Sequence, residues 1–113
     1  MNRLLDIDDS KVSEILSKNI NQVIALFFWA PWDKVSSDLR TQIKHMADKH
    51  SDKVIYAAIN VDQNPHSPVN YNVRAIPHLS LFSKGHIISY LEGPHEAQRF
   101  YELIHKYSED NAS

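Results

Sequence analysis

The chain has 113 residues, of which 42% are hydrophobic, 10% aromatic and 23% charged. That length and composition predict one globular domain with its own core and exclude an intrinsically disordered chain. The formal net charge is −2 and the basic residues are scattered, which argues against a nucleic-acid partner. The chain contains no cysteine, so disulfides, thiolate metal ligands and thiol nucleophiles are all excluded.

Neither end of the chain nor its apolar runs indicate membrane targeting. The N-terminus, Met1-Asn2-Arg3-Leu4-Leu5-Asp6, does not carry the apolar stretch of a secretory signal. The longest apolar run, at residues 23–31, is far too short to span a bilayer. We therefore expect a cytoplasmic protein without a membrane partner, folded as one domain over residues 1–113. The polar tail at residues 108–113 is expected to fray.

The first half of the chain alternates strand and helix patterns. Residues 4–7 predict a short strand, and residues 12–16 follow with apolar side chains on one helical face. The continuous apolar run at residues 23–29 is typical of a strand buried on both faces at the centre of a sheet. Pro31 ends that strand because it lacks the amide proton that a ladder requires.

The next segments continue the alternation. A helix is predicted to begin with Asp33 or Ser36 as its N-cap and to run to Lys49 or His50. Its apolar residues recur at helical spacing, at positions Val35, Leu39, Ile43, Met46 and Ala47. Residues 54–61 then form a second apolar run that predicts another buried strand.

The second half of the chain does not continue the alternation of strand and helix patterns. Pro65 and Pro68 predict a loop over residues 62–72. Residues 79–82 and 86–91 predict a hairpin, and a last helix carries Ala97, Phe100, Tyr101, Ile104 and His105 on one face. The order β-α-β-α-β followed by β-β-α predicts an α/β fold. Its central mixed β-sheet is flanked by helices on both faces.

Four segments carry local motifs that point to one family. They are Phe28-Trp29-Ala30-Pro31-Trp32, Asn60-Val61-Asp62-Gln63-Asn64-Pro65, Tyr71-Asn72-Val73-Arg74-Ala75-Ile76-Pro77 and Leu81-Phe82-Ser83-Lys84-Gly85. In this order and spacing the chain resembles the thioredoxin family over residues 4–107. The resemblance implies a thioredoxin fold, in which the first segment enters the active site and the third ends at a cis-proline, Pro77.

The chain departs from the family at the residues that carry its chemistry. Where the family has Cys-Gly-Pro-Cys, this chain has Asp33-Lys34-Val35-Ser36. A dithiol–disulfide oxidoreductase needs an activated thiolate at the first position and a resolving thiol at the last. With Asp33 and Ser36 at these degenerate positions, we expect no enzyme activity, no catalytic residues and no cofactor.

Two further departures agree with the first. The buried acid that serves the family's cysteines falls on Phe27, and its basic partner falls on Ala58. An apolar pair there avoids the desolvation of two charges that have no chemistry left to serve. The family's helix-kinking proline falls on Thr41, so we expect a straighter helix after the former active site.

Thioredoxins bind extended protein segments beside the active site, partly through backbone next to the cis-proline. The resemblance therefore implies a binding groove formed by Trp29, Trp32, Asp33, Ile76, Pro77 and His78. A protein or peptide partner is expected there, and a homodimer would use the same exposed apolar surface. The plainer alternative is that Asp33 only caps a helix and that Trp32 is inherited without a function.

Two other functions remain open from the sequence. The Trp-Ala-Pro-Trp segment also resembles the thioredoxin-like domain that precedes the glutaredoxin domains of multidomain monothiol glutaredoxins, which implies a targeting role. Asp33, Ser36 and His78 form a conceivable metal-binding or hydrolytic set, although their spacing is not specific and we predict no metal site. His78 is expected to be an exposed polar residue. The remaining histidines show no ligand spacing and are expected on the surface.

Overall fold

The computed structural model describes residues 3–50 and 53–112, with side chains described as far as Ser108. Over these residues the chain forms five strands and four α-helices. In chain order they are β1 (Leu4–Asp6), α1 (Val12–Lys18), β2 (Val23–Trp29), α2 (Lys34–Lys49), β3 (Val54–Asn60), α3 (His66–Asn70), β4 (His78–Ser83), β5 (His86–Glu92) and α4 (Ala97–Ala112).

The five strands form one mixed sheet in the order β1-β3-β2-β4-β5. Strands β1, β3 and β2 are parallel, whereas β4 runs antiparallel to β2 and β5 antiparallel to β4. This arrangement confirms the predicted division into a parallel βαβαβ half and a hairpin half. None of the helices in residues 3–50 and 53–112 is long and apolar enough to cross a membrane.

Helices cover both faces of the sheet, as predicted. On one face, α2 and α4 pack against a core that includes Phe27, Leu79 and Phe100. On the other face, α1 and the segment after α3 pack against a core that includes Phe28 and Phe82. The alternation of side chains along β2 supplies both cores, which explains why the strand is apolar throughout.

The expected apolar pair lies at the centre of the sheet. Phe27 and Ala58 are register partners on β2 and β3, and both side chains are buried. The Phe27 ring makes an edge-on contact with Phe100 of α4, with 6.2 Å between ring centroids. An acid and a base at these two positions would lie among aromatic and aliphatic groups, far from water.

Helix α2 runs without a break from Lys34 to Lys49, as the absence of a proline predicts. The Thr41 hydroxyl donates to the carbonyl oxygen of Ser37 one turn earlier, at 3.5 Å. Helix α4 continues to Ala112. Of the tail that was expected to fray, Ser108 is buried and donates to the His105 carbonyl, whereas the side chains from 109 onwards lie outside the described part.

The segment 62–72 contains a short helix, α3, where the prolines predicted only a loop. Pro68 is tolerated because the first turn of a helix does not require its backbone amide. Asp9 supplies the cap from a distant part of the chain, since its carboxylate accepts hydrogen bonds from the amides of His66 and Ser67. A local pattern cannot reveal a cap that lies more than fifty residues away.

A charged residue at the centre of β2 should destabilise the fold strongly. Phe27→Asp leaves an uncompensated carboxylate among apolar groups, and we expect a loss of about 3–5 kcal/mol in the free energy of unfolding. Phe27→Leu is the matched control and should lose only about 1–2 kcal/mol. Urea denaturation measures both values.

The difference in stability between Phe27→Asp and Phe27→Leu should depend on pH, which a packing defect alone would not cause. Burial raises the pKa of the introduced carboxyl, so the folded variant binds a proton more readily than its unfolded chain. The difference in the free energy of unfolding between Phe27→Asp and Phe27→Leu should therefore become smaller as pH falls from 7 to 5. A gap that stays constant over this range would contradict the assignment of a dry, apolar pair.

Candidate functional site

The ends of three neighbouring strands meet at one edge of the sheet. Trp29, the last residue of β2, lies opposite Asn60, the last residue of β3. Strand β4 runs the other way and begins there, with His78 opposite Phe28. Continuing this register by one residue places Pro77 beside Trp29, and the Ile76–Pro77 peptide bond is cis. The loops that follow β2 and precede β4 therefore converge at this edge.

Asp33 is the N-cap of α2. Its carboxylate oxygen Oδ2 accepts a hydrogen bond of 3.2 Å from the Ser36 amide, and its backbone is extended, as an N-cap requires. The helix dipole also favours a negative charge at this terminus. The position that carries the nucleophile in thioredoxins thus holds a side chain that begins the helix.

Ser36 is fully buried and ties the end of β2 to the start of α2. Its hydroxyl oxygen accepts a hydrogen bond of 3.1 Å from the amide of Ala30. The same hydroxyl lies 3.3 Å from the Ala30 carbonyl and 3.2 Å from the Asp33 carbonyl, and it donates its proton to one of them. Asp33 and Ser36 therefore both make hydrogen bonds that stabilise the local structure.

Trp32 is the most exposed aromatic side chain at this edge, with 72% of its surface accessible. Its indole Nε1 donates a hydrogen bond of 2.8 Å to the carboxylate of Asp62, which follows β3. This bond holds the ring in one orientation while its faces stay open to solvent. Asp62 belongs to one of the four segments that resemble the family, but its contact with Trp32 was not predicted, although the convergence of parallel strand ends points to the residues after β3.

Trp29 contributes less to the surface than expected. It is half-buried and packs against the core cluster under α2 and α4. The guanidinium of Arg40 lies over its ring at 4.8 Å from the centroid, and Arg40 also forms an ion pair with Asp6. The buried indole Nε1 of Trp29 has no hydrogen-bond partner among the described residues.

Ile76 and Pro77 precede β4 at the same edge of the sheet. Ile76 is half-buried against the second core cluster, so part of its side chain stays accessible. The Pro77 ring is fully buried, and its carbonyl oxygen accepts a hydrogen bond of 2.8 Å from the amide of Gly93. Of the two, only Ile76 adds accessible apolar surface at the edge where Trp32 is exposed.

The expectation that His78 is exposed is wrong, because its side chain is 97% buried. The ring contacts Phe28 edge-on and stacks parallel to Tyr90, and its Nε2 lies 3.1 Å from the Ser80 hydroxyl. Its Nδ1 lies 3.4 Å from Glu92 Oε1 and has no regular hydrogen bond. Burial lowers the pKa of His78, and the nearby Glu92 carboxylate opposes that effect. The neutral ring fits this site.

The set of Asp33, Ser36 and His78 is not brought together. Ser36 lies on α2, which packs on the face of the sheet that receives Phe27. His78 points to the opposite face, where it contacts Phe28. The sheet therefore separates the hydroxyl from the imidazole, so they cannot act as nucleophile and base or share a metal ion. Over the described residues, no group of three metal-ligating side chains occurs.

The other histidines lie on the surface, as predicted, at positions 45, 50, 66, 86, 95 and 105. Glu92 and Tyr90, which surround His78, were not identified from the sequence. Their register partners on β4 are His78 and Ser80. A strand pairing that is known only from the tertiary structure therefore decides the environment of His78.

Comparison with known proteins agrees with this architecture. The thioredoxin family model matches residues 4–106. A thioredoxin from Acidithiobacillus ferridurans is 32% identical over 78 residues, which are 69% of this chain and 70% of that protein. A thioredoxin from Griffithsia pacifica is 33% identical over 79 residues, covering 70% of this chain and 71% of the relative.

Solved structures show the same fold at lower identity. The Malassezia sympodialis thioredoxin Mala s 13 superposes with a TM-score of 0.84 at 19% identity, over 96% of this chain and 93% of that one. The N21Q mutant thioredoxin from Halobacterium salinarum NRC-1 gives 0.82 at 24% identity, over 94% and 91%. The fold is thus that of the thioredoxins, without the thiols of a dithiol site. The chain belongs to the thioredoxin family.

Removal of the Ser36 hydroxyl should weaken the joint between β2 and α2. Ser36→Ala leaves the buried Ala30 amide without an acceptor, and we expect a loss of about 1–3 kcal/mol in the free energy of unfolding. Ser37→Ala, in the next position of the same helix, should stay within about 0.5 kcal/mol of wild type. Equal losses for the two variants, measured by urea denaturation, would argue against this role of Ser36.

His78 should make the stability of the fold depend on pH in the mildly acidic range. Its folded pKa lies below the ordinary value of 6.5, so the unfolded chain binds more protons as pH falls through that value. The contribution of His78 to stability is therefore complete well above pH 6.5 and is progressively lost below it. His78→Gln should flatten the fall in the urea midpoint between pH 7.5 and 5.5. His86→Gln, which removes an exposed ring, is the control and should retain the wild-type fall.

Proposed function

We propose that this chain is a non-catalytic module that binds an extended segment of a partner protein in the former active-site groove. The groove is formed by Trp32, Asp33, Ile76 and Pro77, with Trp29 beneath it. The exposed and oriented Trp32 carries the proposal. Tryptophan is prominent among residues that dominate interface energies, and a ring already held by Asp62 loses little conformational freedom on binding.

The neighbourhood of Trp32 indicates the chemistry of the partner. Val35, the second residue of α2, is 47% exposed and extends the apolar surface. Asp33 adds a carboxylate that is partly accessible. A partner segment with an apolar residue next to a lysine or arginine complements both features. This specificity differs from that of a thiolate site, which selects disulfides.

The absence of cysteine supports the non-catalytic part of the proposal, because the chain cannot carry out thiol–disulfide exchange. A second copy of the chain is the alternative occupant of the groove, in a homodimer that forms through Trp32. A cytoplasmic location and the lack of membrane or nucleic-acid partners stay predictions from the sequence.

Site-specific photocrosslinking in the source cell tests this proposal. A photoreactive phenylalanine analogue at Val35 should crosslink a partner, and Trp32→Ala with Asp33→Arg in the same chain should abolish the adduct. The analogue at Val69 is the matched control, because Val69 is 79% exposed but lies on α3 and not on α2. Circular dichroism checks that the double variant is folded.

The identified partner is then measured with purified proteins. We expect the double variant to bind at least about tenfold more weakly than wild type, as is typical when an interface anchor is removed. A partner that crosslinks equally at Val69, or that survives the double substitution, would place binding elsewhere. An adduct between two copies of the chain would favour the homodimer instead.

A further inference from the structure

A second groove lies between β5 and the segment that follows α3. Its volume is about 890 Å³, within the range of sites that hold small ligands or short peptides. Tyr71 and Arg74 line one side, Phe82 lies at its base, and β5 forms the other side. Of the residues predicted for the former active-site groove only His78 also lines this one, whereas Trp32, Asp33, Ile76 and Pro77 do not.

The groove follows the open edge of β5. It is lined by residues 85–90, which are the turn glycine and the first five residues of β5. Strand β5 is the last strand of the sheet, and no other strand of the described chain pairs with its outer edge.

Two large apolar side chains of β5 stand exposed along this edge. Ile87 is 50% and Tyr90 is 61% accessible. Their register partners on β4 are Phe82 and Ser80, so both point to the same face of the sheet as His78. The Tyr90 ring stacks on the His78 ring at 5.6 Å, which leaves its outer surface open to an apolar group.

Two exposed cations flank the groove. Arg74 lines it, Lys84 lies in the turn between β4 and β5, and neither forms an ion pair among the described residues. The groove's carboxylate, Glu92, is partly accessible and lies 3.4 Å from both the Arg74 amide and His78 Nδ1. A ligand that pairs with β5 therefore meets Lys84 near one end of the strand and Arg74 beside Glu92 near the other.

A β-bulge limits what can pair with this edge. Between Leu81 and Phe82 the register shifts, so that Ile88 is an extra residue on β5. Bulges interrupt strand pairing and protect edges from indiscriminate association. A second copy of this chain would also bring its own Lys84 to the same edge. A short acidic segment avoids that charge repulsion.

We propose that this groove binds a short, extended acidic peptide segment, which pairs with the edge of β5. A central apolar side chain of the segment covers Ile87 and Tyr90, and its acidic residues face Arg74 and Lys84. Backbone pairing would supply affinity, and the charges would supply selectivity.

Fluorescence anisotropy with a labelled acetyl-Asp-Thr-Phe-Thr-Asp-amide peptide tests the charges. We expect binding to wild type, weaker binding by about tenfold to Arg74→Glu and to Lys84→Glu, and little binding of the Lys-Thr-Phe-Thr-Lys analogue. Lys53→Glu is the matched control, because it reverses an exposed charge before β3 and should bind like wild type. Equal affinity for both peptides would overturn the proposal.

Alternating N-methylation of the peptide tests strand pairing without changing the protein. Two methylated peptides each block every second amide, and one should lose about tenfold in affinity, because only one set of amides faces β5. Unchanged binding of both would overturn the proposal. A loss with Trp32→Ala and Asp33→Arg as large as with Arg74→Glu would instead place the peptide in the former active-site groove. Dimers in sedimentation velocity that Arg74→Glu abolishes would assign the edge to a second copy.

Discussion

Strand β2 pairs on both of its edges and is buried on both of its faces, and the rest of the structure depends on this position. Its pairing with β3 and β4 brings the end of one parallel neighbour and the start of an antiparallel one to the same edge of the sheet. Its two faces supply the two cores. A charge at Phe27 would have no partner here, since the position across from it is Ala58.

The positions that align with the family's cysteines make local hydrogen bonds in this chain. Asp33 begins α2 through a side-chain cap, and the Ser36 hydroxyl joins the helix to the end of β2. These bonds fix the two ends of the loop that follows β2. Trp32 lies between them, and its indole is held by Asp62.

The two proposed binding surfaces would recognise their partners through different interactions. The former active-site groove presents an aromatic ring and a carboxylate beside converging loops, which suits a partner with apolar and basic groups. The edge of β5 presents two apolar side chains, with Arg74 and Lys84 exposed beside them. Trp32, Asp33, Ile76 and Pro77 do not line the groove at β5, so the two proposed sites can be tested with separate substitutions.

The sequence by itself determined most of the fold, because its strongest signals are local. Apolar runs, helical spacing and proline positions predicted the strands, the long helices and their order, and the missing cysteines excluded thiol–disulfide chemistry. The pairing of distant residues was decided only by the tertiary structure. Asp9 caps α3 from 58 residues away, and the register of β4 with β2 and β5 buries His78 between Phe28 and Tyr90. Such contacts depend on which strands are neighbours, and local periodicity does not specify that.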